Sequence, residues 1–421
     1  MSSRRGFLKS GGLALFGIGV GGVPTFMARA ASSRKIVDPY KKKKVMVCIF
    51  QRGAMDGLMA VTPFTDTYLQ AARPTLFMTA AQGGKTTPLI DLDGRFGLHP
   101  GMKSFEPLFR DGRLAIVHGI GSPNNTRSHF DAQDYMESGT PFNKGTGSGW
   151  LNRAVGLLGH DATPFRAVSL TSSMPRSFYG DNPSVSISNL QDFAIQMRGN
   201  PMGANMAAKS FEDLYDQTSN SLLKETGKES FDAVKMLQKA DVKNYRPAGT
   251  VVYPSSPLGN ALKQIAQLIK MDVGLEVAFA ESGGWDTHFN QGTELGVFAR
   301  NVTDLSSSIT AFWADMEGYQ DDVTLMTMTE FGRTVRQNGT GGTDHGRGSC
   351  MFIVGNDVSG GKVHGNVKSL SVENLEDGRD LAVTTDFRSV FSEVVDKHLK
   401  INDDKVLFPD WKGEKIGVMK G

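Results

Sequence analysis

The stretch from Asp322 to Gly355 constrains the fold of this chain more than any other part of the sequence. Two apolar runs typical of β-strands, Val323 to Met328 and Cys350 to Val354, enclose a polar, glycine-rich segment. That segment carries four charged or titratable side chains, Glu330, Arg333, Asp344 and His345. Polar groups at the carboxyl end of a buried strand commonly form the ligand site of α/β proteins. Gly, Asp and Asn also form ordinary turns, so the alternative is a long loop without chemistry.

Other apolar runs predict the rest of a sheet. The continuous run Val45 to Phe50 is typical of a central strand covered on both faces, and Leu114 to His118 and Leu275 to Ala280 are similar. Helical patterns alternate with these runs, at 258–271, 293–317 and 386–399. This alternation predicts an α/β domain with a mostly parallel sheet over residues 31–421.

The segment at 190–256 differs from the rest of the chain. It is rich in Lys, Asp, Gln and Ser, has a helical pattern, and contains no strand-like run before Val251. We interpret it as a helical insertion or cap on the α/β domain.

The first thirty residues have the pattern of an export signal. Paired arginines, Arg4 and Arg5, precede an uncharged run from Ser10 to Met27 that ends in Ala28-Arg29-Ala30. This pattern predicts a twin-arginine signal peptide at 1–30, cleavage after Ala30, recognition by the twin-arginine export machinery, and a periplasmic or secreted protein. The alternative is a membrane anchor. The run is rich in glycine and contains Pro24, so it would make a poor membrane helix, and we expect no stable anchor after cleavage.

The small positive charge of the chain belongs to that signal. The whole sequence has 46 basic and 44 acidic residues, and residues 1–30 hold four of the basic ones and no acidic ones. Removal of the signal leaves 42 basic residues, a net charge of −2. The charge therefore argues against a nucleic-acid partner.

Two cysteines, Cys48 and Cys350, lie in separate strand-like runs. An oxidising compartment permits a disulfide between them, and two buried thiols are the alternative. The sequence leaves this choice open.

Polar side chains gather where the predicted strands end. Asp286 and His288 stand two residues apart after the run that ends at Ala280, which places them on one side of an extended backbone. The full set is Asp56, Thr126, Ser128, His129, Asp286, His288, Glu330, Arg333, Asp344 and His345. Such oxygen and nitrogen donors suit a divalent metal such as Zn, Mn, Mg or Ca.

Five motifs resemble a known bacterial family, the domain of unknown function 1501, whose members resemble the alkaline phosphatase and sulfatase superfamily. The motifs are RGAMDG (52–57), NNTRSHFDAQDYMESG (124–139), GGWDTH (283–288), TEFGRT (329–334) and GGTDHGRG (341–348). The resemblance implies an alkaline phosphatase-like three-layer sandwich. It also implies two metals and a Ser or Thr nucleophile at a helix start.

Carried over by this resemblance, the predicted metal ligands are Asp56, Asp286, His288, Glu330 and His345. The polar residues of the glycine-rich loop add Asp344 to this set. Thr126 or Ser128 would be the nucleophile, or neither would. Asp344 would bind metal or orient the ring of His345. The spacing of Asp286 and His288 is shorter than in the superfamily, and Phe331 stands where a metal-binding histidine is expected. A two-metal site and a one-metal site therefore both remain open.

The predicted function is an exported metal-dependent hydrolase of phosphate or sulfate esters. Its substrate would be a small anionic ester, and Arg127 or Arg333 would bind the anion. The main alternative is a non-catalytic periplasmic binding or assembly protein on the same fold. A lyase or transferase that uses the same metal chemistry is a third.

Overall fold

The computed structural model describes residues 43–81, 87–159, 163–190 and 245–421 of the chain. The predicted signal at 1–30 and most of the predicted insertion at 190–256 lie outside these residues, so both stay predictions. No helix within the described ranges is long and apolar enough to cross a membrane.

A large sheet runs through the middle of the fold. The strands of the described chain are β1 (Val45–Gln51), β2 (Val61–Pro63), β3 (Ile90–Asp91), β4 (Phe96–Leu98), β5 (Leu114–Gly121), β6 (Ala167–Ser169), β7 (Val185–Ser186), β8 (Val277–Ser282), β9 (Val323–Met328), β10 (Ser349–Gly355), β11 (Val363–His364) and β12 (Thr385–Asp386). Within the described residues, nine of them form one sheet. Its order is β11, β5, β10, β9, β1, β8, β6 and β7, with β12 also paired to β5.

Most neighbours in this sheet are parallel. β1 is parallel to β8 and β9, β6 to β7 and β8, and β5 to β11 and β12. β10 runs antiparallel to β5 and β9. The carboxyl ends of β1, β5, β8 and β9 therefore lie along the same edge as the amino end of β10. We call it the carboxyl edge of the sheet.

Helices cover both faces of the sheet. The α-helices of the described residues are α1 (Gly57–Ala60), α2 (Thr67–Ala72), α3 (Phe105–Arg110), α4 (His129–Ser138), α5 (Trp150–Leu157), α6 (Pro257–Lys270), α7 (Val297–Asp315), α8 (Phe387–Val394) and α9 (Asp404–Leu407). Side chains of β1 alternate between two cores: Val47 and Ile49 pack with α3, α6 and α7, whereas Cys48 and Phe50 pack with α5 and α8. The predicted α/β class, three layers around a mostly parallel sheet, is confirmed.

Local signals explain where two long helices begin. α6 begins at Pro257, whose fixed φ suits the first helical position, and the Ser256 hydroxyl accepts the Gly259 amide. α7 begins at Val297, later than the predicted residue 293, because Gly296 before it has a φ of 117° that a helix cannot contain.

Cys48 and Cys350 are free, buried thiols. They lie on β1 and β10, which β9 separates in the sheet. Burial raises the pKa of both thiols well above the usual range. Of the two alternatives left by the sequence, the structure selects two inert core thiols.

Two buried histidines are satisfied by hydrogen bonds and belong to the core. Nε2 of His118 lies 2.9 Å from the carbonyl oxygen of Val61. Nε2 of His398 lies 2.9 Å from the carbonyl oxygen of Val45, and its Nδ1 lies 3.0 Å from the Thr324 hydroxyl. Burial lowers the pKa of each imidazole from 6.5 to about 4. Both rings are therefore neutral in the folded protein at neutral pH.

These two histidines predict an acid-labile fold. The pKa of each ring is lower in the folded chain than in the unfolded chain, so the unfolded chain binds more protons below pH 6.5. The contribution of the two neutral rings to the free energy of unfolding is fully present above pH 6.5 and is lost as the pH falls towards 4. The loss is about 3 kcal/mol per ring.

Unfolding free energies measured with urea at pH 7.5, 6 and 5 would test this. His398→Gln keeps one donor and one acceptor but cannot be protonated, so its unfolding free energy should fall less steeply with pH than that of the wild type. Equal slopes for the two proteins would contradict the prediction.

Candidate metal centre

Four side chains capable of binding a metal meet at the carboxyl edge. His129 is the first residue of α4, which follows β5. Asp286 and His288 lie in the loop after β8, and His345 lies shortly before β10. Because β10 runs against its neighbours, the loop before it and the loops after the other strands share one edge. We call these four residues the His/Asp cluster.

The donor atoms of the cluster lie at the spacing that a metal requires. Nε2 of His345 is 3.0 Å from Nε2 of His129 and 3.0 Å from Nε2 of His288. Oδ1 of Asp286 is 3.0 Å from Nε2 of His288 and 3.2 Å from Nε2 of His345. Bonds of about 2.0–2.1 Å to a tetrahedral ion place neighbouring ligand atoms about 3.3 Å apart. Ligand atoms of His129, Asp286 and His345 all lie within 4.8 Å of one another, and His288 adjoins two of these residues. The residues present therefore fit one divalent ion such as Zn²⁺.

The other nitrogen of each ring is held by an oxygen. The pairs are His129 Nδ1 with Glu330 Oε1 at 2.8 Å, His288 Nδ1 with Asp344 Oδ1 at 2.9 Å, and His345 Nδ1 with the Arg127 carbonyl oxygen at 2.9 Å. Carboxylates and carbonyls only accept, so Nδ1 donates in all three pairs and Nε2 of a neutral ring carries a lone pair. Two lone pairs 3.0 Å apart repel each other, and a cation at the centre removes that repulsion. This arrangement of ligand and supporting oxygen is common around metals in proteins.

Charges around the cluster favour a carboxylate and a neutral ring. Burial opposes ionisation of Asp286, but its 2.6 Å hydrogen bond from Arg333 and the charge of that arginine outweigh burial and lower the pKa of Asp286. Burial, followed by the charge of His129, lowers the pKa of His345. The hydrogen bond to Glu330 raises the pKa of His129. Without a metal, His129 is therefore the ring that takes a proton before His345 does.

The cluster is open to solvent on one side and apolar on another. Exposed side-chain fractions are 24% for His129, 30% for His288, 26% for His345 and 44% for Asp286. The buried ring of Phe331 packs against His129 and His345, with centroid distances of 4.9 and 5.2 Å. An ion in this position would keep one side accessible to a small molecule, which could add to the ion as a further ligand.

Close backbone contacts explain the glycines of the 341–348 loop. A Cβ on Gly342 would lie 2.3 Å from the carbonyl oxygen of His288, and a Cβ on Gly346 would lie 2.4 Å from the carbonyl carbon of Arg333. His345 and Arg333 also form an isolated antiparallel bridge. The loop therefore folds back onto two other segments and delivers His345 to the cluster, which a simple turn would not do.

Three of the predicted metal ligands, Asp286, His288 and His345, lie in the His/Asp cluster. Glu330 and Asp344 stand one step behind it. Glu330 is fully buried and supports His129, and Asp344 supports His288, whereas the second role predicted for Asp344 was to orient His345. Their predicted ligand roles stay untested, and the geometry favours supporting roles for both.

Asp56 stands apart from the cluster in a buried ion pair. Its carboxylate accepts two hydrogen bonds from Arg73, at 2.8 and 3.1 Å, and one from Gln291 at 2.8 Å. Asp56 and Arg73 are both buried, so the guanidinium already neutralises this carboxylate. A second metal at Asp56 does not fit beside Arg73, and the geometry favours a one-metal site.

Both arginines predicted to bind an anion are engaged by acidic groups. Arg127 donates to Asp380 and Asp377, and its nearest contact is 2.5 Å. Arg333 is buried and donates to Asp286 and to the Thr343 backbone. In this arrangement Arg333 positions Asp286, and Arg127 supports His345 through its carbonyl oxygen. Anion binding by either one stays a prediction and would require these ion pairs to rearrange.

The two predicted nucleophiles lie at the start of α4. Ser128 is exposed and is the N-cap residue, although its hydroxyl makes no capping hydrogen bond. The Thr126 hydroxyl accepts the Ser128 amide at 3.2 Å. Ser128 directly precedes His129, and Thr126 lies three residues before it. A nucleophilic role for either stays a prediction.

Sequence reasoning placed His129 among the strand-end polar residues but left it out of the predicted ligands. The resemblance expected a nucleophile at this helix start, which drew attention to the hydroxyls before it. The available signal was the spacing of His129, Gln133 and Glu137, which puts three polar side chains on the inward face of one helix.

The fold and the cluster define an α/β protein with a candidate metal centre at the carboxyl edge of its sheet. The family described as protein of unknown function, DUF1501, matches residues 43–408. The chain belongs to this family, which confirms the resemblance found in its motifs. No curated protein matches the chain in sequence.

Solved structures with some likeness include members of the alkaline phosphatase and sulfatase superfamily. A protein in the alkaline phosphatase superfamily from Vibrio parahaemolyticus is 10% identical, with a TM-score of 0.35, over 77% of this chain and 63% of that one. Alkaline phosphatase from the Antarctic bacterium TAB5 is 11% identical, with a TM-score of 0.32, over 75% and 93%. PsFucS1 sulfatase from Pseudoalteromonas sp. is 11% identical, with a TM-score of 0.38, over 90% and 74%. Likenesses this low transfer no activity or substrate to this chain.

The geometry predicts one tightly bound divalent ion per chain. The His/Asp cluster offers four donors to one ion, and Arg73 occupies the charge-balancing position beside Asp56. Protein purified without chelator, or reloaded with Zn²⁺ and dialysed, should contain one equivalent by elemental analysis. Two equivalents in the wild type, with one lost in Asp56→Asn, would contradict the one-metal interpretation.

Ligands and supporting residues should differ in the size of their effect. His288→Ala removes a donor atom and should abolish tight Zn²⁺ binding. Asp344→Asn keeps an oxygen that can accept from His288 Nδ1 but removes the charge, so affinity should fall by roughly 10–100-fold. Competition with a chelating dye would measure both. Equal losses in the two variants would show that Asp344 binds the ion directly.

Proposed function

We propose that this protein is a metal-dependent hydrolase of phosphate or sulfate esters. The observation that carries the proposal is the convergence of three imidazole Nε2 atoms and the Asp286 carboxylate at an edge open to solvent. Four protein ligands would complete a tetrahedral shell, so hydrolysis here requires the ion to accept water or the ester as a fifth ligand on the side open to solvent. An ion bound there would polarise an ester oxygen and lower the pKa of a water molecule.

The chain's own residues would bind and orient the substrate. The positive end of the α4 dipole faces the carboxyl edge next to His129 and favours an anionic group there. The exposed Ser128 hydroxyl lies at that helix start. Phe331 closes the inner side of the cluster to water. An anionic ester that approaches from the open side would therefore meet the helix terminus and the cluster together.

A second candidate function is a binding protein without turnover. The observation that favours it is the engagement of Arg127 and Arg333 by carboxylates, because these acidic groups already neutralise both guanidinium groups. Such a protein would hold a metal and a ligand but lack charge stabilisation for a transition state.

An ester panel separates the two functions. Wild-type protein loaded with Zn²⁺, Mn²⁺, Mg²⁺ or Ca²⁺ would be assayed on aryl phosphate monoesters, phosphate diesters and sulfate esters. We expect turnover of at least one class, and its loss in His345→Ala purified in the same way. The matched control is His364→Ala, which replaces a half-buried histidine bound to the Ser359 carbonyl oxygen and outside the cluster. A metal-loaded protein that turns over none of these esters would favour the binding function.

A further inference from the structure

The inward face of α4 is polar where it meets the carboxyl edge. His129, Gln133 and Glu137 are spaced four residues apart, so they lie on one side of the helix. A helix packed on a sheet normally presents an apolar stripe there. Here all three side chains make hydrogen bonds instead. His129 and Gln133 bond to Glu330, which lies after β9. Gln133 and Glu137 bond to Arg52, which lies after β1.

Gln133 links Glu330 to a cation. Its Nε2 donates to Glu330 Oε1 at 2.8 Å, and its Oε1 accepts from Arg52 Nη1 at 3.1 Å. The same Glu330 oxygen accepts from His129 Nδ1 at 2.8 Å and from the Gly53 amide at 2.9 Å. The orientation of the Gln133 amide is unambiguous, because a guanidinium only donates and a carboxylate only accepts.

Arg52 is itself held in place from three sides. It donates to Glu137 at 2.6 Å and to Glu281 at 2.6 and 2.9 Å, and its guanidinium carbon lies 4.1 Å from the centre of the Phe50 ring. Glu137 also accepts the amide and hydroxyl of Ser177. The position of Arg52 is therefore determined by β1, α4 and β8 together.

We propose that Arg52 and Gln133 are positioning residues that set the metal affinity of the cluster through Glu330 and His129. This inference rests on the proposed metal site and extends it to two residues that do not touch the ion. The relay runs from the Arg52 guanidinium through the Gln133 amide to the Glu330 carboxylate. The Glu330 carboxylate accepts the Nδ1–H of His129, which fixes the tautomer of that ring and leaves its Nε2 facing the other donors of the His/Asp cluster. Hydrogen bonds aligned in series polarise one another, so loss of the middle member weakens the last one.

Gln133→Met is the sharpest test, because it keeps the length of the side chain and removes both hydrogen bonds. We expect Zn²⁺ affinity to fall roughly 10–100-fold, as for other residues that support metal ligands. The visible absorption bands of the Co²⁺-loaded protein should also change, since these bands report ligand geometry. The melting temperature of the metal-free protein would show whether folding itself is affected. If Gln133→Met does not fold, Gln133→Asn, which keeps the amide but cannot span the gap, replaces it.

Gln51→Met is the matched control. Gln51 is buried at the end of β1 next to Arg52, and its amide has no hydrogen-bond partner within the described part of the chain. The same substitution there should leave Zn²⁺ affinity and the Co²⁺ spectrum unchanged. If wild type binds Zn²⁺ and Gln133→Met binds it equally well with the same Co²⁺ spectrum, the relay is overturned and the metal site stands. If wild type binds no Zn²⁺, the proposed function and this inference both fail.

Discussion

The structure at the carboxyl edge depends on one electrostatic interaction. Three ring nitrogens and a carboxylate approach one another to about hydrogen-bond distance. Each ring donates its Nδ1–H to an oxygen, so in neutral rings the Nε2 atoms that face each other at 3.0 Å are acceptors. Such an arrangement is stable when positive charge lies at its centre. The surrounding residues hold the four donor groups in place for that positive charge.

Three arginine–aspartate pairs stabilise this part of the structure, and each pair has at least one buried partner. Arg333 holds Asp286, Arg127 holds Asp380, and Arg73 holds Asp56. Removal of one partner from such a pair leaves an unpaired charge away from water and is strongly destabilising, even where the intact pair contributes little. The ion pair at Asp56 has a chemical consequence as well, since it argues against a second metal beside Asp56 within the described part of the chain.

Much of the fold was predictable from the chain alone, and the reasons are local. The run Val45 to Phe50 predicted a strand with two buried faces, and β1 has side chains in both cores. The predicted helix at 258–271 is α6, which Ser256 and Pro257 begin. The start of α7 was misplaced because the Gly296 conformation depends on a loop that the pattern does not describe.

The sequence by itself determined which residue types reach the carboxyl edge, because strand ends and glycine-rich loops are encoded locally. Asp286, His288 and His345 were identified in that way. Only the tertiary structure decided the partner of each side chain. Arg73, 17 residues from Asp56, pairs with that carboxylate, and Glu330, 201 residues from His129, accepts a hydrogen bond from Nδ1 of that ring. Hydrogen-bond partners so far apart in the chain leave no periodic signal in the sequence. Glu330 and His129 meet because the loop after β9 and the start of α4 lie at the same edge of the sheet.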